Sequence, residues 1–121
     1  MAVKRIVTNI AAGDVARAQA FYGDLLGLRL AMDMGWILTF TADATMTPQL
    51  SVMTEGGSGT PVPDISIEVD DVDAVHRKAV ELGLPIEYGP ADEPWAVRRF
   101  YVRDPFGRLV NILTHSALGL S

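Results

Sequence analysis

The stretches DVARAQAFYGDLLG (residues 14–27) and DVDAVHRKAVELG (residues 71–83) decide the reading of this chain, because they say one thing twice. Each opens on an Asp, whose side chain can accept from the free amides of a first helical turn. Each then carries apolar residues at helical spacing: Val15, Ala18, Tyr22 and Leu25 in the first, Val72, Val75, Ala79 and Leu82 in the second. A glycine follows each, Gly27 and Gly83, as is common just past a helix end. The two Asp residues and all four apolar pairs are separated by the same 57 positions. A fixed internal period of this kind marks two copies of one supersecondary unit.

The segments around the two helices repeat as well. In the first copy, residues 4–12 read as a strand, 14–26 as the helix, and 29–34, 36–41 and 49–54 as three further strands. Residues 55–63 (EGGSGTPVP) read as the linker between copies. The second copy repeats the order, with a strand over 64–69, a helix over 71–82 and strands at 85–88, 98–102 and 109–113. Asp104-Pro105-Phe106-Gly107 joins the last two as a tight turn, because Pro fixes φ and Gly tolerates positive φ. The expected architecture is α+β: two tandem β-α-β-β-β modules, about 1–55 and 64–121, whose curled mixed sheets surround a cavity. At 121 residues the chain is one domain's worth, and a copy of about 55 residues has a marginal core alone.

Composition narrows the function classes. The chain has no cysteine, which removes disulfides, thiolate nucleophiles and thiolate metal sites. No apolar run approaches the roughly 20 residues that span a bilayer, and no targeting segment is visible, so a cytoplasmic protein is expected. Net charge is −5 and the basic residues are scattered, apart from Arg98, Arg99 and Arg103. Nucleic acid is therefore not an expected partner, since phosphate contacts need a basic face.

Alternation assigns faces. From Asp64 to Asp70, Ile65, Ile67 and Val69 point one way, toward the helix of their own copy; Asp64, Ser66, Glu68 and Asp70 point the other. Val7, Asn9 and Ala11 occupy that opposite face in the first copy, 57 positions back.

DVARAQAFYGDLLGL, DISIEVDDVDA and YVRDPFGRLVNIL together resemble the glyoxalase / bleomycin resistance protein / extradiol dioxygenase superfamily, also called vicinal oxygen chelate proteins. Ala20-Phe21-Tyr22 with Leu25-Leu26-Gly27 is similar to that family's first-helix signature, and Asp104-Pro105-x-Gly107 to its last hairpin. The resemblance covers nearly the whole chain in the expected order. It implies the paired modules and, in the enzymes, a divalent metal held by His, Gln and Glu on the first and fourth strands of each module. Carried over, those positions fall on Val7, Ser51, Asp64 and Asn111. Valine offers no donor and Ser and Asn are weak ones, whereas a catalytic site needs about three strong protein ligands. No metal and no cofactor are expected.

The resemblance then implies a metal-independent binding protein that sequesters or confers resistance to a small molecule, as a homodimer. Asn9, Asp64, Glu68 and Asn111 are the candidate polar contacts, and Trp36 and Trp95 the candidate aromatic ones. Met32, Met34 and Tyr88 adjoin them in the chain logic. Trp36 is placed at the start of a central strand and Trp95 in a long connection, GPADEPW. His76 is expected on the solvated face of its helix, and His115 at the same strand parity as Asn111. Arg98 and Arg99 are candidates to clamp a carboxylate, but adjacent strand residues face opposite ways, so at most one points inward. The competing class is an enzyme: a lyase, isomerase or dioxygenase, metal-dependent or metal-free, the last with Asp64 as a lone general base.

Overall fold

A computed structural model describes residues 7–45 and 51–115. The chain forms two compact units, Met1–Thr54 and Glu55–Ser121. The glycine-rich segment expected as a linker thus belongs to the second unit. Among the described residues no helix is long and apolar enough to cross a membrane.

The first unit contains β1 (Arg29–Asp33) and β2 (Leu38–Thr41), and in the second unit the alternating stretch becomes β3 (Ile65–Glu68), with half-buried Ile65 and Ile67 alternating with exposed Ser66 and Glu68. It is followed by α1 (Val72–Glu81), β4 (Ile86–Glu93), β5 (Val97–Arg103) and β6 (Leu109–His115). The sheet order is β3-β6-β5-β4, with β3 parallel to β6 and the other neighbours antiparallel. Asp71 caps α1 by accepting from the Ala74 amide at 3.1 Å. The helix packs over β4, β5 and β6, burying Val72 and Ala79. Phe100, Val102, Val110 and Ile112 are fully buried and paired in register, Phe100 with Ile112 and Val102 with Val110. Each such side chain contributes about 1.5–3 kcal/mol by leaving water. His76 is part of this packing, its ring edge-on to Phe100 at 5.1 Å, and not the solvated residue that helical spacing suggested. The Asp104–Gly107 turn forms as expected: Asp104 Oδ1 accepts from the Phe106 and Arg108 amides, both at 2.8 Å.

The first unit holds β1 (Arg29–Asp33) and β2 (Leu38–Thr41), an antiparallel pair. Gly35 (φ +82°) and Trp36 form the turn between them, closed by the Met34 amide donating to the Ile37 carbonyl at 3.0 Å. Trp36 therefore sits in a turn, 73% exposed, and not in a strand. The expected strands over 4–12 and 49–54 correspond to β3 and β6 of the second copy, which pair with each other. Their described parts, residues 7–12 and 51–54, are irregular, without a ladder partner among the described residues; a strand exists only through its ladder. Residues 4–6 and 49–50 lie outside the described residues, as do 116–121 of the second module.

The first helix departs from its twin. Asp14 accepts from the Ala16 amide at 3.1 Å and opens a short tight turn (Val15–Arg17), which widens into π-helix over Gln19–Leu25. Its end explains why. Both copies close on a glycine at φ +72°, but Asp14 to Gly27 holds one residue more than Asp71 to Gly83. Leu28 accordingly bonds back to the Tyr22 carbonyl, six residues away, where Leu84 bonds to Ala79, five away. The Leu26 amide likewise reaches Phe21, where Leu82 reaches Lys78. A single extra residue between equivalent ends is accommodated as a π-bulge. It also shifts the repeat: past the bulge Leu26, not Leu25, is the counterpart of Leu82. Leu25 is buried, whereas Leu82 is 51% exposed, so that apolar pair is not equivalent in packing. Phe21, Tyr22 and Leu25 are buried, with the Tyr22 ring tilted against Phe40 at 6.0 Å.

Arg98 ties β5 to the helix, donating to Asp73 at 2.9 Å and pairing with Asp92 at 3.2 Å. The Arg98 hydrogen bonds hold the Asp73 carboxyl below its ordinary range. Stability from this pair is present where Asp73 is ionised and is lost as pH falls through its lowered folded value. Asp73→Asn should therefore unfold in less urea than the parent at neutral pH, and the gap should hold down to the ordinary aspartate range, about 4, and narrow only below it. A gap independent of pH would remove the ion pair from the account.

Candidate functional site

The strand register assembles one polar face. Tyr101 on β5 stands directly opposite Asn111 on β6, and Asn111 stands beside Ser66 on β3. Leu113 is opposite Arg99 and beside Glu68, and His115 is opposite Val97. Alternation puts all of these on the side away from α1, which covers Phe100 and its register partners.

Arg99 is the centre of that face and is 3% exposed. Its guanidinium pairs with Glu93 Oε2 at 2.6 Å and donates to the Gly56 carbonyl at 2.7 Å, the Tyr101 hydroxyl at 2.9 Å and the Gly57 carbonyl at 3.2 Å. The rings of Tyr88, Trp95 and Tyr101 surround it at 5.4, 5.1 and 4.9 Å. Glu93 also accepts from Ser58 Oγ at 3.2 Å and the Tyr88 hydroxyl at 3.1 Å. A buried ion pair is tolerated only when its remaining donors and acceptors are matched in this way. Of the two adjacent arginines, Arg99 is thus the inward one, but its donors are engaged within the protein and clamp no free carboxylate.

The segment Gly56–Thr60 is consequently a strap bound to the sheet, not a flexible linker. The Gly56 amide donates to the Thr60 carbonyl at 2.8 Å, closing the turn, and Thr60 Oγ1 lies 2.9 Å from the Tyr101 hydroxyl. Gly57 is at φ +87°, and a Cβ there would sit 2.6 Å from Trp95 Cη2, so the glycine is needed for the close approach. The GPADEPW segment also differs from expectation. Ala91, Asp92 and Glu93 pair with Arg99, Arg98 and Val97, extending β4 to a tight turn at Pro94–Ala96. Trp95 occupies that turn, 46% exposed, against Arg99.

Asp64, Glu68 and Asn111 all fall on this face. Asp64 Oδ2 accepts from the Leu109 amide at 2.8 Å, tying the start of β3 to the start of β6. Glu68 lies about 13 Å further along in Cα position and bonds His115 Nδ1 at 2.7 Å. Asn111 is 7% exposed; its Nδ2 donates to Ser66 Oγ at 3.1 Å and its Oδ1 has no partner among the described residues. A buried acceptor left unmatched costs about 1–3 kcal/mol. Asn9 and Trp36 belong to the first unit, Asn9 exposed in the irregular segment and Trp36 in its turn. Glu93, Tyr101, Ser66 and Thr60 are participants that the sequence reading missed. Two of them had a signal: Ser66 in the alternation that set it beside Asp64 and Glu68, and Tyr101 two residues from Arg99 in an alternating strand.

The divalent metal of the resembled enzymes does not fit this donor set. Val7 has no donor atom, Ser51 is a neutral hydroxyl, Asp64 is engaged by the Leu109 amide, and Asn111 offers one carbonyl oxygen. Among the described residues no three His, Asp or Glu side chains cluster as metal ligands.

With this geometry in place, similarity to known proteins is informative. The family described as the Glyoxalase/Bleomycin resistance protein/Dioxygenase superfamily matches residues 4–112. No curated protein matches the chain. Among solved structures, it is similar to TnmS3, an antibiotic binding protein from Streptomyces sp. CB03234 (21% identity, 96% of this chain and 97% of that one, TM-score 0.64). It is similar to TioX from Micromonospora sp. ML1 (21%, 93% and 96%, TM-score 0.62). It is equally similar to a lactoylglutathione lyase from Agrobacterium tumefaciens (21%, 93% and 92%, TM-score 0.62). At these identities the likeness is one of fold, and it supports the expected α+β architecture.

The Arg99 cluster makes a quantitative prediction. Arg99→Met leaves Glu93 buried without its counter-charge and should cost about 3–5 kcal/mol, as should Glu93→Gln to a lesser degree. The double variant should lose clearly less than the sum of the two, measured by urea unfolding of all four proteins. Additive losses would mean the two side chains act independently.

Proposed function

This chain belongs to the glyoxalase/bleomycin resistance protein/dioxygenase superfamily, and from that premise we propose that it binds and sequesters a small molecule without a catalytic metal. The observation that carries the reading is the chemistry at the family's four ligand positions. Three of them, Val7, Ser51 and Asn111, bring no charged or imidazole donor, and the fourth, Asp64, holds a backbone amide. What remains on the helix-free face is suited to holding an organic guest. Asn111 brings an amide bonded to the hydroxyl of exposed Ser66, Glu68 brings an exposed carboxylate, and Trp95 brings a half-exposed ring backed by a cation. The structural likeness to an antibiotic binding protein is consistent with this use of the fold. We further propose that the protein works as a homodimer; the exposed Leu30, Met32, Met34 and Trp36 of the first unit are apolar surface of the kind that association covers.

The test is a thermal-shift screen against aromatic cations, glycopeptide antibiotics and small thiol adducts, each with chelator and with added Zn, Ni, Mn or Fe. A ligand at 100 times its Kd adds about 2.7 kcal/mol, a rise of several degrees. The rise should survive the chelator and shrink in Asn111→Leu and Trp95→Ala. Stoichiometric metal in protein purified without chelator, together with turnover of a thiol adduct, would replace this reading by the lyase one. Light scattering should give twice the mass of one chain.

A further inference from the structure

The ends of β3 and β6 hold an arrangement that neither the core nor the Arg99 cluster uses. Glu68 is the last residue of β3 and His115 the last of β6. The parallel register sets Glu68 beside Leu113, and the Val69 amide donates to the Leu113 carbonyl at 2.8 Å, so the two strand ends are tied together. His115 lies two residues on from Leu113 and shares its face, away from α1. Glu68 Oε2 is 2.7 Å from His115 Nδ1. Both side chains are open to solvent, His115 at 50% and Glu68 at 59%. A pair this exposed adds little to stability.

The carboxylate decides what the ring offers. An ionised carboxylate only accepts, so Nδ1 must carry the proton. In the neutral imidazole Nε2 is then the lone-pair nitrogen, and it has no partner among the described residues. His115 therefore presents an accessible hydrogen-bond acceptor whose position is fixed by two strands and whose tautomer is fixed by Glu68.

The rest of this face narrows the donor. Leu113, half-buried, lies between Glu68 and Arg99 in the register. The Trp95 ring stacks on the Arg99 guanidinium at 5.1 Å and is 46% exposed. The imidazole thus stands on β6 and the indole over the neighbouring β5, with a leucine as the apolar surface beside them. One side of the indole already holds a cation, so a second cation on its other side would meet charge of the same sign. An anion at Nε2 would meet a lone pair, with the Glu68 carboxylate close behind. A hydroxyl on an uncharged aromatic ring suits both groups: the O–H donates to Nε2 and the ring lies against the indole.

We propose that His115 Nε2, with the Nδ1 proton held by Glu68, accepts from the hydroxyl of an uncharged phenol-type ligand whose ring rests on Trp95. The proposal deepens the small-molecule reading above and rests on it.

The experiment titrates 2-naphthol and its methyl ether, 2-methoxynaphthalene, into the uniformly 15N-labelled full chain at about pH 8, where an ordinary imidazole is neutral. Long-range proton–nitrogen spectra of the imidazoles should show His115 as the Nδ1–H tautomer. Naphthol should move its Nε2 signal and bind at least about tenfold tighter than the ether, a difference of roughly 1.4 kcal/mol. His115→Phe, which keeps a ring at an exposed strand end, should lose that tenfold. Glu68→Gln, whose amide no longer compels the Nδ1 proton, should shrink it. Trp95→Leu should weaken both probes alike. An Nε2–H tautomer, equal affinity for the two probes, a preference that survives His115→Phe, binding without movement of the His115 signals, or binding of neither overturns the proposal. The outcomes separate it from its premise. Ligands found in the thermal-shift screen with no hydroxyl preference here remove this inference alone, whereas silence in both experiments removes the small-molecule reading as well.

Discussion

A guanidinium withdrawn from water at Arg99 is the constraint around which the second unit is arranged. Burying such an ion costs several kcal/mol unless its donors are matched. The matches come from four pieces of chain. Glu93 and Tyr88 come from β4, Tyr101 from β5 itself, Trp95 from the turn between them, and two carbonyls from the strap at Gly56 and Gly57. None of these contacts alone would hold a glycine-rich segment in place. Together they leave the strap one position in which the cation is satisfied. The same arrangement removes the face's strongest positive charge from ligand recognition.

Adjacent positions on β5 divide the work between the two sides of the sheet. Arg98 reaches Asp73 on α1, next to the Asp71 cap, and so helps to fix the helix over Phe100 and Val102. Arg99 reaches the strap on the other side. Period-2 geometry alone requires that the two diverge, and the sequence reading had that much. It did not have the partners. Glu93 sits in a stretch whose Gly, Pro and Asp content reads as a loop, yet it is the last residue of β4. The strap reads as a linker because what binds it, Arg99, lies 43 residues further along the chain. Local composition carries no trace of a contact made at that range.

Local signals performed well where the cause was local. The alternation from Asp64 to Asp70, the Asp71 cap and the Asp104–Gly107 turn are each set by neighbours within a few residues, and each formed as read. The repeat itself was legible, but its phase was not. The cap residues obey a 57-residue offset, while the glycines that end the helices obey one residue less. Hydrogen bonds, not side-chain identity, reveal the difference: Leu28 reaches back six residues and Leu84 five. The four apolar pairs used to recognise the duplication therefore include one, Leu25 and Leu82, whose members differ in burial. A hydrophobic match is a weak guide to register once a bulge intervenes.

Asp64 shows how a carboxylate at a family ligand position can serve the scaffold instead. Its Oδ2 on the Leu109 amide fixes the start of β3 against the start of β6. That parallel register places Ser66 beside Asn111, two residues further along each strand. The acid therefore acts on the site by position, setting the ladder that presents the amide, and not by coordination. Asn111 continues the logic: where the enzymes of the superfamily are expected to carry a charged ligand, a neutral amide stands, half matched by a hydroxyl from the neighbouring strand. A buried group that is only half matched costs about 1–3 kcal/mol of stability, which this scaffold carries in its sheet.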